Sequence, residues 1–106
     1  MNTMHRRYEI LLPTQYNDGR PVPDDLLAQT VIELRQHFGA ISHETQSIQG
    51  EWETEGRLYR DRLTRIFLDV ADTKEHRAFF AELKMQLIKR FEQIDIWITS
   101  YPIDII

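Results

Sequence analysis

Four arginines crowd one short stretch of the chain, Arg57, Arg60, Arg62 and Arg65, with Asp61 among them and Glu44, Glu51 and Glu53 just before. A guanidinium is a planar fork that grips a carboxylate or phosphate through two parallel hydrogen bonds, which makes Arg60, Arg62 and Arg65 the candidate ligand-binding residues. The competing reading is a set of cross-strand ion pairs on a solvated hairpin, since such surface pairs are common and individually weak. His43 is the candidate catalytic residue: on a strand near Arg65 or Phe67 it could reach an open sheet face and accept a proton near neutral pH. A merely solvated histidine is the alternative.

The remaining chemistry is sparse. His5, His37, His43 and His76 are dispersed, with no pair at metal-ligand spacing and no H-E-x-x-H pattern, so no metal site is expected. With no cysteine there is neither a thiolate ligand nor a thiol nucleophile, and Ser42, Ser47 and Ser100 lack a nucleophile signature. Gly19, Gly39, Gly50 and Gly56 sit where turns, a helix end or a bulge would want them, and form no phosphate loop. No cofactor is implied.

The elements that must position these residues are readable from periodicity. Tyr8 to Leu12, stopped by Pro13, predicts a short buried strand. Thr14 to Pro23 is turn chemistry throughout. From Asp24, taken as an N-cap, Leu27, Val31, Leu34 and Phe38 recur on one helical face, and Gly39 supplies the stop. Ile41 to Glu53 reads as a polar edge strand, Thr54 to Gly56 as a hairpin loop, and Arg57 to about Val70 as a long strand. In that strand Ile66, Leu68 and Val70 share one face, and Phe67 and Asp69 the other. Asp72 and Glu75 predict a capping box, followed by a helix burying Phe80, Leu83, Leu87 and Phe91. Ile94, Ile96 and Ile98 then alternate with Asp95, Trp97 and Thr99 as a half-buried strand.

This order predicts one ferredoxin-like α+β domain over residues 1–106, β-α-β-β-α-β, with a four-stranded antiparallel sheet and two helices on one face. If the isoleucines of the last strand face the helices, Tyr59, Phe67, Trp97 and Tyr101 lie on the open face, with Leu11 and Leu63. Exposed aromatic residues in such number mark an interface or a binding surface. The alternative is that the tail from Ile103 to Ile106 covers them.

Composition narrows the partners. Of 106 residues, 42% are hydrophobic and 28% charged, a globular balance. Seventeen acidic against thirteen basic residues argue against a broad nucleic-acid surface. No run approaches the roughly 18 apolar residues of a membrane span, and the N-terminal apolar stretch is too short for a signal peptide, so a cytoplasmic location without membrane attachment is expected.

Gly50-x-Trp52, Gly56-Arg57, Arg60-Asp61 and, after the second helix, Arg90-Phe91-x-Gln93 together resemble a bacterial domain family of unknown function, some of whose members are lipoprotein-like. The resemblance spans about Phe38 to Ile98, and this chain departs from the exported members in having no signal segment or lipobox cysteine. It implies a small α+β fold and carries over no catalytic residue. From the residues themselves, Gly50 would permit a bulge and Trp52 would pack across the hairpin.

Three functions follow from the open face. The first is a self-associating interaction domain, a homo-oligomer that buries Trp97, Phe67 and Tyr101 against a second copy. The alternative is a cofactor-free enzyme or small-ligand-binding protein of the dimeric α+β barrel type, its aromatic pocket rimmed by Arg60, Arg62 and Arg65, with His43 as base. The third, RNA binding on the sheet, is disfavoured because RLTRIFLDV offers one aromatic, no glycine and an aspartate in an acidic chain.

Overall fold

The computed structural model describes residues 3–106; Met1 and Asn2, where the domain and targeting readings begin, lie outside the described residues. Along the chain run β1 (His5–Pro13), α1 (Asp24–Phe38), β2 (Ser42–His43), β3 (Ile48–Thr54), β4 (Arg57–Ala71), α2 (Lys74–Arg90) and β5 (Trp97–Ile103). All pair antiparallel in one sheet, in the order β2-β4-β1-β5 with β3 also on β4. Leu63 of β4 faces Pro13 on one side and Ile48 on the other, so β2 and β3 share the edge of β4 away from β1. The fold is the ferredoxin-like arrangement with its second strand cut in two, giving five strands where four are expected.

The cut has a local cause. His43 faces Ile66 and Ile48 faces Leu63, so five steps along the edge answer three along β4. The intervening Glu44, Thr45, Gln46 and Ser47 offer no apolar alternation to hold a ladder. Instead the Arg65 carbonyl accepts from the Glu44 N–H at 2.9 Å, and the Thr64 hydroxyl donates to the Glu44 carbonyl at 3.1 Å. The excess is even, so side chains beyond it keep their faces.

The core lies between the sheet and the helices. Tyr8, Ile10 and Leu12 of β1 and Ile66, Leu68 and Val70 of β4 are buried beneath Leu34, Phe80, Leu83, Leu87 and Phe91. Tyr8 stacks on Phe80 with ring centroids 3.8 Å apart, and Phe38 stacks on the same ring at 5.4 Å. The predicted stripe of α1 omits Thr30, which is fully buried. Its hydroxyl donates to the Leu26 carbonyl at 2.9 Å and accepts from Arg90 at 2.9 Å, while Arg90 also reaches Glu33, so a polar clasp joins the two helices.

Three boundaries differ from expectation. α1 begins at Asp24, but Pro23 holds the N-cap position and no side chain caps it; Asp24 and Asp25 act instead on the positive end of the helix dipole. α2 is capped by Thr73, whose hydroxyl accepts from the His76 N–H at 3.1 Å, and not by the predicted Asp72–Glu75 box. Asp72 is drawn away by Arg77 at 2.8 Å and Arg6 at 3.3 Å. β5 starts at Trp97, so Ile96 is buried just before it, Ile98 is half-buried, and Ile94 is 75% exposed. The backbone turns after α2 through Glu92 at φ 51, and the Asp95 carboxylate accepts from the Ile96 N–H at 2.9 Å, so no strand can form there.

Because the cap is Thr73, Thr73→Ala lowers stability in urea denaturation by about 1 kcal/mol, and Glu75→Ala, which removes only a dipole contact, lowers it by a few tenths of a kcal/mol, about the low end of that effect.

Candidate functional site

β4 carries its odd-numbered side chains on the open face from Tyr59 to Asp69 and its even-numbered ones on the helix side. That parity divides the predicted arginine triad. Arg65 lies on the open face, whereas Arg60 and Arg62 point to the opposite face and stay exposed; Arg60 approaches Glu51, its cross-strand partner, at 3.5 Å. The three do not form one rim. His43 likewise stands opposite Ile66, on the helix side of the edge and exposed to solvent, so it does not reach the open face near Arg65.

Arg65 belongs to a charge ladder across the middle of the open face. Its terminal nitrogens pair with Glu9 and with Glu44, the latter at 2.7 Å. Arg7 makes a bidentate pair with Asp69 at 2.7 and 2.9 Å. Phe67 sits between the two guanidiniums, 4.8 Å from that of Arg7 and 5.0 Å from that of Arg65, within cation–π range. The open face is therefore not a continuous apolar patch. Of the four predicted interface residues, Phe67 is sandwiched by arginines, Tyr101 stands across from Arg7 and is 41% exposed, and Tyr59 stacks on Trp52. Trp97, opposite Leu11, is 63% exposed, and the tail does not cover it, since Ile105 and Ile106 are themselves exposed.

Trp97 instead forms a wall of a cleft of about 620 Å³ where the β3–β4 hairpin leaves the sheet. Leu11, Pro13, Leu63, Ile94, Trp52 and Trp97 supply its apolar surface, and Asn17, Asp61, Gln93 and Asp95 its polar groups. The hairpin places Trp52 there through its register. The turn holds only Glu55 and Gly56, both at positive φ (51 and 75°), which is the type I′ geometry whose twist suits paired strands. Thr54 consequently pairs with Arg57, Trp52 with Tyr59, and Gly50 with Asp61. The indole stacks on Tyr59 with centroids 4.2 Å apart and donates from Nε1 to the Asp61 carboxylate at 2.7 Å. Gly50 keeps the floor low: a Cβ there would meet Leu63 Cδ1 at 3.3 Å.

The loop before α1 contributes Asn17 and is pinned in place. The Thr14 N–H and hydroxyl both donate to the Arg62 carbonyl, the Val22 N–H donates back to Thr14 at 3.0 Å, and Val22 is buried. The loop is thus tied to β4 and closed on itself by hydrogen bonds at Thr14. Trp52, Asp61, Ile94 and Asp95 were missing from the sequence-based site because their convergence depends on the hairpin register and on the early end of α2.

The electrostatics of the ladder are directional. The hydrogen-bonded Arg7 guanidinium holds the Asp69 carboxyl below the ordinary 3.8, and Arg77 and then Arg6 do the same for Asp72. Burial pushes the Tyr8 phenol up. Carboxyls lowered in the folded state bind fewer protons than in the unfolded chain, so their stabilisation is complete above about pH 4 and disappears as pH falls through the lowered values.

No protein-family model and no curated protein matches the chain. Its fold is that of a phage SAM lyase solved in complex with S-methyl-5'-thioadenosine, with a TM-score of 0.68 at 16% identity over 99% of this chain and 93% of that one. The phage SAM lyase in its apo state gives a TM-score of 0.65 at 16% identity over the same shares. Likeness at that identity defines the class as a small ferredoxin-like α+β protein.

Arg7→Ala moves the Asp69 titration, followed by carboxyl NMR, back up toward its ordinary value, and flattens the loss of stability between pH 5 and 2, roughly the range over which a lowered carboxyl is neutralised.

Proposed function

We propose that the chain is a small cofactor-free enzyme that holds S-adenosylmethionine in the indole-walled cleft and acts on it as a SAM lyase. The observation that carries this reading is the cleft itself, large enough for a nucleoside-sized ligand and lined by two tryptophans. Indole faces stack on a purine and attract a cation, and a sulfonium adenosyl compound offers both. The shared fold with the phage enzyme supports it. When the substrate's own carboxylate attacks the carbon bound to sulfur, a carbon–oxygen bond forms as the carbon–sulfur bond breaks; the electron pair of the latter passes to sulfur and its positive charge disappears, leaving neutral S-methyl-5'-thioadenosine and a lactone of the amino-acid fragment. The sulfonium is already an activated leaving group, so the role left to the protein is to bind and orient.

Incubating the purified chain with S-adenosylmethionine yields S-methyl-5'-thioadenosine by liquid chromatography, faster than the spontaneous background. Trp97→Ala lowers the rate at limiting substrate by about tenfold or more, the weight of one lost stacking contact. A chain that neither accelerates release nor binds the adenosyl compound overturns the reading.

A second reading, self-association through the open face, is supported by the exposure of Trp97 and Tyr101 on β5, beside the charge ladder. Burying such rings is worth several kcal/mol at about 25 cal/mol per Å². Sedimentation at roughly tens of micromolar gives a dimer or larger species under this reading, an assembly that Trp97→Ala weakens. A monomer at that concentration removes it.

A further inference from the structure

We infer that Asp61 is the residue by which the cleft selects charge, admitting an aromatic cation in preference to its neutral counterpart. The inference deepens the proposed function and rests on its cleft, but it is carried by a separate observation, the ion-pair pattern of the lining residues. Among the described residues, the lining includes three acidic residues, Glu51, Asp61 and Asp95, and no lysine, arginine or histidine; the Glu51 carboxylate itself points to the opposite face, beside Arg60. Two of the three are answered by cations outside the cleft: Asp95 by Lys84 at 3.1 Å and Glu51 by Arg60 at 3.5 Å. Asp61 is different. Its partner is the neutral indole N–H of Trp52 at 2.7 Å, and among the described residues no cation lies within ion-pair distance of it.

The hydrogen bond matters as much as the charge. It fixes one carboxylate oxygen against a side chain that is itself clamped on Tyr59, so the carboxylate is held at the cleft wall and does not swing out to water. Across the ladder from Asp61 stands Gly50, so no side chain directly opposite competes for the space in front of it. A cation entering between Leu11, Leu63 and Trp97 thus meets a partly dehydrated negative charge and an aromatic face together, a pairing that strengthens both attractions. A neutral ligand of the same shape gains only the apolar walls. Applied to the proposed reaction, the same residue holds the sulfonium substrate and has nothing to hold in the neutral thioether, which favours product release.

The test uses two ligand pairs and one substitution, read by tryptophan fluorescence or calorimetry at neutral pH. S-adenosylmethionine is compared with S-methyl-5'-thioadenosine, and the N,N,N-trimethylanilinium ion with neutral N,N-dimethylaniline. In the unaltered chain each cation binds more tightly than its neutral partner, and added salt weakens only the cation. Asp61→Asn keeps a hydrogen-bond acceptor for Trp52 and removes the charge; it weakens the cation by about tenfold, as loss of one charged contact does, and leaves the neutral partner unchanged. Folding of the variant is checked by its urea midpoint, and Asp104→Asn, which removes the same charge from an exposed position outside the cleft, serves as a second variant that leaves discrimination intact. Binding of the anilinium pair alone, with the expected discrimination, retains the charge selection and overturns the adenosyl reading. Equal affinities within both pairs, an Asp61→Asn variant that still discriminates, or no binding of any cation overturns the inference.

Discussion

β4 keeps one alternation for fifteen residues while its neighbours change beside it. At about 3.3 Å per residue such a strand is about 50 Å long, which matches the 50 Å long axis of the molecule. Its second half lies between β1 and the short β2 and buries Ile66, Leu68 and Val70 under the helices; its first half pairs with β3 as a hairpin. Because the alternation is never interrupted, the side chains that leave the core face on one half leave it on the other as well. Tyr59, Asp61 and Leu63 on the hairpin therefore line up with Arg65, Phe67 and Asp69 on the sheet.

The open face that results is divided by chemistry. In its middle, three carboxylates and two guanidiniums pair around Phe67, which keeps the aromatic ring in contact with charge. At the hairpin end the face turns apolar, and there the segment after α2 rises to meet it. The left-handed Glu92 and the Asp95 turn delay the start of β5 by three residues relative to the isoleucine pattern, which leaves Ile94 as a cleft wall in place of a core residue. The strand alternation from Ile96 onward is otherwise as the pattern requires, with Trp97 outward.

Much of the fold was legible in the residues because it is decided by near neighbours. The core residues of β4 and α2, the bounds of α1, and the outward indole of β5 follow from periods of two and 3.6 that nothing distant contradicts. The errors arise where two local options compete. Asp72 and Thr73 both suit a helix cap, and the two arginines on Asp72 leave the task to Thr73. Arg60, Arg62 and Arg65 look like one cluster along the chain, yet an odd spacing on a strand sends Arg65 to the other face.

What the sequence determined by itself is the ferredoxin-like order of strands and helices and which faces are apolar, because those depend on side-chain spacing within each segment. Only the tertiary structure decided where a ligand could sit. Leu11, Trp52, Asp61, Ile94 and Trp97 come from four separate segments, and they converge through a two-residue turn, a broken edge strand and a helix that ends early. Register and chain reversal are set by long-range pairing, and no local pattern encodes the space left between them.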